Sequence, residues 1–336
     1  MLKNVTDFRK KLLKKFSHSP TSRQSKLFVM LVDFVFSKDY QTLFLMKGYA
    51  GTGKTSAISA LVTTLRETEK KSVLLAPTGR AAKVISVYSK VPAYTIHKKI
   101  YFPKKQQNGS VDFVLQTNKH KNTIFIVDEA SMIPDRPQNG KLFENGSLLD
   151  DLISYVYSGY HCKLILIGDT AQLPPVKLSI SPALDENRLE IDYDKNVFKI
   201  ELNEVTRQHE NSGILLNATL LRTLIENDAT NFRFDMNYPD IVRLIDGYDI
   251  QDAISGCYDN DGVEDTAFIV RSNKRANQYN QQIRSQIRGK ENEISTGDYI
   301  MVVKNNYYWL KESSSAGFIA NGDTCEVLRI NSIKDL

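Results

Sequence analysis

The run Gly48-Tyr49-Ala50-Gly51-Thr52-Gly53-Lys54-Thr55 fits the spacing G-x-x-x-x-G-K-[ST], and its chemistry is that of holding phosphate. Glycines let a backbone turn tightly enough for amide N–H groups to point inward at an anion, and a following helix adds the positive end of its dipole. In that arrangement Lys54 reaches the β and γ phosphates of a nucleotide, and the Thr55 hydroxyl ligands magnesium. Leu43, Phe44, Leu45 and Met46 just before the loop read as a buried strand, and the residues after it as a helix. Gly48, Ala50, Gly51, Thr52, Gly53, Lys54, Thr55 and Ser56 are therefore the expected nucleotide-binding residues.

Two further strand tips carry polar groups suited to the same chemistry. The apolar run Thr123 to Val127 ends on Asp128 and Glu129. There Asp128 can hold magnesium through its water shell, and Glu129 can orient and deprotonate an attacking water. The run KLILIGDTAQLPPV, residues 163–176, ends its strand at Gly168 and Asp169. Gln172 follows at a position to sense a γ-phosphate, and Pro174 and Pro175 stiffen the loop. The expected cofactors are ATP and Mg2+.

The elements that must position these groups alternate along the chain. Val73 to Ala76 form another apolar strand, turning at Pro77 and Gly79 into a helix. Repeated strand, loop and helix predict an α/β fold with a parallel sheet, helices on both faces and ligands at the strand C-terminal ends. Ahead of it, Leu2, Val5, Phe8, Leu12 and Phe16 predict a helix over 2–16, and Ser19, Pro20 and Thr21 start a second that contains Leu27 to Phe36.

Residues 98–122 read as a small insertion. Asn108-Gly109 is a turn signal and Val111 to Gln116 alternates, which predicts a β-hairpin. Lys98, Lys99, Lys104, Lys105, Lys119 and Lys121 face only Asp112 in opposition, with Tyr101, Phe102 and Phe113 interleaved. This is the composition of a strand-separating or base-stacking element; a basic loop whose aromatics pack on its own base is the other reading. After residue 210 a second sheet is expected. Ala267 to Val270 reads as a strand, Ser272 and Asn273 as a loop, and Ala276, Tyr279, Ile283 and Ile287 as one side of a helix. From Arg271 to Lys290 there are six basic residues and no acids, which suits phosphate contact. The acidic, aromatic stretch 225–249 reads as a solvated connection with short helices.

Composition sets the bounds. The chain has 336 residues, 41% hydrophobic and 25% charged, the make-up of a soluble globular protein. It contains no run of 18 apolar residues, and its lysine-rich start lacks the apolar core of a signal peptide, so a cytoplasmic protein with no membrane partner is expected. Cys162, Cys257 and Cys325 form no C-x-x-C pair, and buried packing is their expected role. The net charge of +5 conceals an asymmetry: residues 1–122 hold 23 Lys and Arg against 6 Asp and Glu, the remainder 21 against 33. Such segregation suggests a polyanion-binding face.

Taken in order, these segments resemble the motifs of a superfamily 1 DNA helicase of the RecD, Pif and phage Dda branch. PTSRQ resembles the adenine-reading motif, with Gln24 as its glutamine, and GYAGTGKT is motif I. APTGRAAK and TIHKKI resemble motifs Ia and Ib, DEASM is motif II, and GDTAQLPPV is close to motif III. LNEVTRQ resembles the motif IV region and makes Arg207 the γ-phosphate arginine; RSNKRANQYN, GDYIMVVKNNY and ANGDTCEV resemble parts of the second motor domain. The resemblance implies catalytic roles for Lys54, Glu129, Gln172 and Arg207, and DNA contacts for Thr78, Arg80, Thr95, His97, Phe102, Ser272 and Asn273.

It also implies two RecA-like domains, 1–210, with 98–122 inserted as a wedge, and 211–336. The second lacks the family's Q-G and T-R-A-R-like segments, so an incomplete domain from a longer chain is expected. A departure is the stretch 133–152 after motif II, whose Pro, Asn and Gly suggest a longer loop than usual. The implied activity is ATP-dependent movement of a monomeric motor along single-stranded DNA or into a forked duplex, 5′ to 3′, with repair or recombination partners. An ATPase acting on RNA or protein, and a DNA-binding fragment with weak turnover, remain open alternatives. No separate carboxylate cluster suggests a nuclease.

Overall fold

A strand buried on both faces has no need to alternate polar and apolar residues, and the four apolar runs found in the sequence become the centre of one sheet. A computed structural model describes the chain except residues 1, 106–110, 135–146, 205–211, 228, 230, 264, 304–318, 320 and 334–336. It divides into two units, Met1–Arg207 with Val302–Asp323, and Gln208–Met301 with Thr324–Leu336.

In the first unit the elements run α1 (Leu2–Lys15), α2 (Ser22–Phe36), β1 (Thr42–Gly48), α3 (Lys54–Glu67), β2 (Lys71–Ala76), α4 (Gly79–Ser89), β3 (Ala93–Thr95) and α5 (Ile96–Ile100). There follow β4 (Tyr101–Lys105), β5 (Val111–Leu115), β6 (Thr123–Val127), α6 (Leu148–Ser158), β7 (Lys163–Gly168), α7 (Glu186–Ile191) and β8 (Asn196–Leu202). Six strands form one parallel sheet in the order β3-β2-β6-β7-β1-β8. The expected α/β architecture is thus present. The two edge strands, β3 and β8, carry no sequence signal of their own: β3 is only three residues long, and β8 is interrupted by Lys199 and Glu201.

Alternation along each central strand divides the core in two. Phe44 and Met46 of β1, Ile124 and Ile126 of β6, and Ile165 and Ile167 of β7 face the side covered by α1, α2 and α3. Leu43 and Leu45, Phe125 and Val127, and Leu164 and Leu166 face the side covered by α5 and α6. β4 and β5 pair antiparallel as the expected hairpin. Its Asn108-Gly109 turn lies outside the described residues, as does most of the loop after motif II.

The second unit contains α8 (Gly213–Glu226), α9 (Gly247–Asn260), α10 (Asn273–Gln282) continued by a π-helical turn to Ile287, and the antiparallel pair β9 (Tyr299–Met301) and β10 (Thr324–Glu326). The strand expected at Ala267 to Val270 is not formed: these residues are irregular, and Ile269 is 99% exposed. An apolar run becomes a strand only beside a partner, and none flanks it among the described residues. Between Glu226 and Gly247 no helix is found among the described residues, in place of the short helices expected there. Cys257 and Cys325 are exposed; only Cys162 is buried as expected.

Close packing at one strand tip depends on a missing side chain. A Cβ at Gly168 would lie 2.8 and 2.9 Å from the Leu184 methyl carbons and 3.0 Å from the Ser131 backbone nitrogen. Gly168→Ala is expected to cost about 1–3 kcal/mol of stability through overpacking. Urea unfolding followed by circular dichroism checks this, and an unchanged midpoint would show that the tip of β7 can give way.

Candidate nucleotide site

The tip of β1 leads directly into the glycine loop. Gly51 (φ 79°) and Gly53 (φ 88°) take left-handed backbone conformations that side chains disfavour. Thr52, 1% exposed, ties the turn through its hydroxyl, which donates to Tyr49 O at 2.7 Å. Gly48 lies opposite Leu202 of β8, where a Cβ would meet that side chain at 2.9 Å. Helix α3 starts at Lys54 with Gly53 as its cap and carries no acidic residue in its first turn. The amides there are therefore left for an outside anion.

Lys54 Nζ donates to Gly48 O at 2.5 Å and Tyr49 O at 2.9 Å, with Asp169 Oδ2 3.7 Å away. Burial pushes the lysine's pKa down, opposed in turn by the carboxylates of Asp169, Glu129 and Asp128. Residues from the tips of β1, β6 and β7 are thus close enough to act on one another. Asp128 is pushed up to about 6, first by burial and then by the neighbouring Glu129, against the pull of Lys54. Glu129 stands at φ 55°, a left-handed conformation that turns the chain sharply at the end of β6.

Such a setting suits a divalent cation, since positive charge beside two half-buried carboxyl groups offsets the desolvation of Asp128 and its repulsion by Glu129. Thr55, half-buried in the first turn of α3, and Asp128 are the residues that would hold it. Among the described residues no cluster of three or more His, Cys, Asp and Glu forms a ready-made metal cage. A magnesium site using phosphate oxygens and water needs none.

Motifs II and III are joined by one hydrogen bond: Ser131 Oγ donates to Gln172 Oε1 at 3.1 Å. Gln172 is exposed, on a loop whose Asp169 is 3% exposed and accepts from the Ala171 N–H at 2.9 Å. Asp169 and Ser131 were not singled out as site residues from the sequence. The signal for Asp169 was its place at the tip of a strand beside β1, but strand order is not written in the chain.

Gln24 is 2% exposed and its amide is engaged twice. Its Oε1 accepts from the Thr21 N–H at 3.0 Å, completing a capping box at the start of α2, and its Nε2 donates to Thr52 O at 2.9 Å. The glutamine expected to read a base therefore also braces the loop that would hold the phosphates. Arg207 lies outside the described residues.

The residues expected to touch DNA fall into two groups. Thr78 follows β2 and Thr95 ends β3 at the same pole of the sheet as the glycine loop, and each caps a helix, accepting from Ala81 N–H at 3.2 Å and Lys98 N–H at 3.1 Å; Thr95 is fully buried, so the DNA contact expected of it has no exposed surface. Arg80 is exposed. His97 is held below the usual histidine range by burial, with its ring 5.8 Å from that of Tyr101. In the hairpin the two readings divide between residues. Tyr101, 5% exposed, donates to Asp151 Oδ2 at 2.5 Å and Phe113 packs on the second core, whereas Phe102 is 43% exposed.

In the second unit Ser272 caps α10 by accepting from Arg275 N–H at 3.3 Å, and Asn273 is exposed beside it. Of the basic run there, Arg284 and Lys290 pair with the buried Asp298 at 2.8 and 3.0 Å. Arg271, Lys274 and Arg275 are the exposed cations near the start of α10.

The AAA domain family matches residues 34–178, a span that runs from the end of α2 through motif III. Over 135 residues the chain is 29% identical to the ATP-dependent RecD2 DNA helicase of Deinococcus radiodurans, covering 40% of this chain and 16% of that protein. The matched span holds the glycine loop and the turns that carry Asp128, Glu129 and Asp169. An uncharacterized protein of Acanthamoeba polyphaga mimivirus is 26% identical over 328 residues, 87% of this chain and 61% of its own length, so the chain spans less than two thirds of these relatives. The crystal structure of Bacteroides sp Pif1 with ADP-AlF4 aligns at a TM-score of 0.43 and 17% identity, over 94% of this chain and 71% of that one. Among the described residues no helix is long and apolar enough to cross a membrane.

The bracing role of Gln24 gives a direct test. Gln24→Ala removes partners from both Thr21 N–H and Thr52 O, and is expected to lower stability by about 1–2 kcal/mol without any nucleotide present. Urea denaturation measures this. Unaltered stability would show that the two bonds contribute nothing to the loop.

Proposed function

We propose that this protein hydrolyses Mg-ATP and couples the hydrolysis to movement along single-stranded DNA. The observation that carries the reading is the convergence of Lys54, Asp128, Glu129 and Asp169 at the tips of three parallel strands around a phosphate-type loop. The likeness to a RecD2 DNA helicase supports DNA as the substrate track, and exposed Arg80 and Phe102 supply a cation and an aromatic face for it. The direction, 5′ to 3′, and a role in repair or recombination rest on the RecD resemblance.

In this reading the loop amides and the α3 N-terminus bind the phosphates, and Lys54 exchanges its contacts with Gly48 O and Tyr49 O for β and γ oxygens. Thr55 and Asp128 would hold magnesium, which would neutralise charge on the transferring phosphoryl group. Glu129 orients a water for in-line attack and accepts its proton. Gln172, tethered to Ser131 beside Glu129, senses the γ-phosphate, and Arg207 supplies a second positive charge to it. Thr78 contacts the DNA backbone through a hydroxyl that already caps a helix, which fixes its orientation, whereas Thr95 is fully buried and serves as the cap of α5.

ATP hydrolysis with and without single-stranded DNA, at low and moderate salt, tests the whole reading. Stimulation that weakens as salt rises is expected. Stimulation by RNA alone, or by neither nucleic acid, would favour an ATPase acting on RNA or on protein. Lys54→Ala is expected to lower hydrolysis by at least about a hundredfold, and wild-type turnover in that variant would remove the nucleotide reading altogether. Glu129→Gln should reduce turnover by a similar factor, about a hundredfold or more, while leaving ADP binding measured by calorimetry within a few-fold.

A further inference from the structure

Strand β8 ends beside the glycine loop, and the chain that leaves it makes a contact that neither the loop nor the catalytic acids account for. Two residues past Leu202, the carboxylate of Glu204 turns back to the first turn of α2. Its Oε1 accepts from Ser22 Oγ at 2.7 Å and its Oε2 from the Arg23 N–H at 3.2 Å. Helix α2 has 15 residues and no acid in its own first turn. Glu204 therefore brings, from 181 positions further along the chain, the anion that the positive end of that helix favours. Hydrogen bonds from Thr21, Ser22 and Arg23 hold its carboxyl below the usual range.

The same first turn reaches the nucleotide loop, because Gln24 donates to Thr52 O at 2.9 Å. A second link is direct: the Tyr49 N–H donates to Leu202 O at 3.3 Å, with Leu202 in register opposite Gly48. Residues 202–204 thus grip the loop from two sides, once through the sheet edge and once through α2. The direct link is made by backbone atoms and does not use the Glu204 side chain; the indirect one depends on it.

We propose that Glu204 is a positioning residue for the nucleotide loop, acting through the first turn of α2. The proposal rests on the nucleotide reading above. It assigns to LNEVTRQ a part beyond its arginine: the carboxylate fixes where the chain departs from the sheet and, through Ser22, Arg23 and Gln24, fixes the loop carbonyl at Thr52.

The experiment is ADP binding by calorimetry on the full chain, for wild type, Glu204→Ala, Ser22→Ala, the double variant and Glu204→Gln, with thermal unfolding measured alongside. Glu204→Ala is expected to raise the ADP dissociation constant about three- to tenfold, and Ser22→Ala by a smaller factor. The double variant should be no worse than Glu204→Ala, because both changes break one connection. Glu204→Gln keeps an acceptor for Ser22 but loses one carboxylate oxygen, and should fall between wild type and Glu204→Ala. Independent, multiplicative effects of the two single changes would overturn the proposal. So would a loss of affinity that merely follows reduced thermal stability and disappears on cooling, which would leave Glu204 as a helix cap only. If wild type binds ADP and Glu204→Ala binds it within twofold, the positioning role fails alone; if wild type binds no ADP, the nucleotide reading fails and takes the proposal with it.

Discussion

A largely buried positive charge, Lys54 beside the tip of β1, is the constraint around which the first unit is arranged. Removing an ammonium group from water is costly, and the chain offsets the cost for Lys54 with two loop carbonyls and the carboxylate of Asp169. Between those carbonyls and the lysine the chain turns through Gly51 and Gly53 in left-handed conformations. The carboxylates approach only because β6 and β7 run parallel to β1 and end at the same level. Each of these contacts can be exchanged for phosphate oxygens, so the arrangement that makes the lysine tolerable also leaves it ready for a ligand.

Rigidity around that charge comes from neighbouring elements. Gly168 lets Leu184 and the Ser131 backbone close over the tip of β7, while Ser131 and Gln172 join the two acidic turns. On the other side Gln24 and Glu204 connect the start of α2 to the loop and to the end of β8. Residues placed by fixed neighbours lose little entropy when they act, which is the physical basis of preorganised electrostatics.

The proposed DNA-facing residues show how one side chain serves structure and recognition together. Thr78, Thr95 and Ser272 all cap helices, so their oxygens are already committed to backbone N–H groups. In the hairpin, Tyr101 and Phe113 secure the base and Phe102 presents an exposed ring. The clustered aromatics and lysines of that segment could be read from the sequence, but which ring faced solvent depended on the pairing of β4 with β5 and on the position of α6.

Local chemistry is what the sequence by itself determined. A glycine loop before a helix, apolar runs ending in carboxylates, and a Ser-Pro-Thr helix start are short-range patterns whose physics is complete within about ten residues, so β1, β2, β6, β7, the glycine loop and the start of α2 were legible. The edge strands β3 and β8 were not, because half-exposed strands take their identity from the neighbour they pair with. The same reason explains Ala267 to Val270, apolar enough for a strand but without a partner beside it among the described residues. Only the tertiary structure decided that Asp169 meets Lys54 and that Glu204 meets Ser22, contacts across 115 and 182 positions of the chain. Strand order and helix placement set those distances, and they follow from the burial of the whole sheet rather than from any one segment.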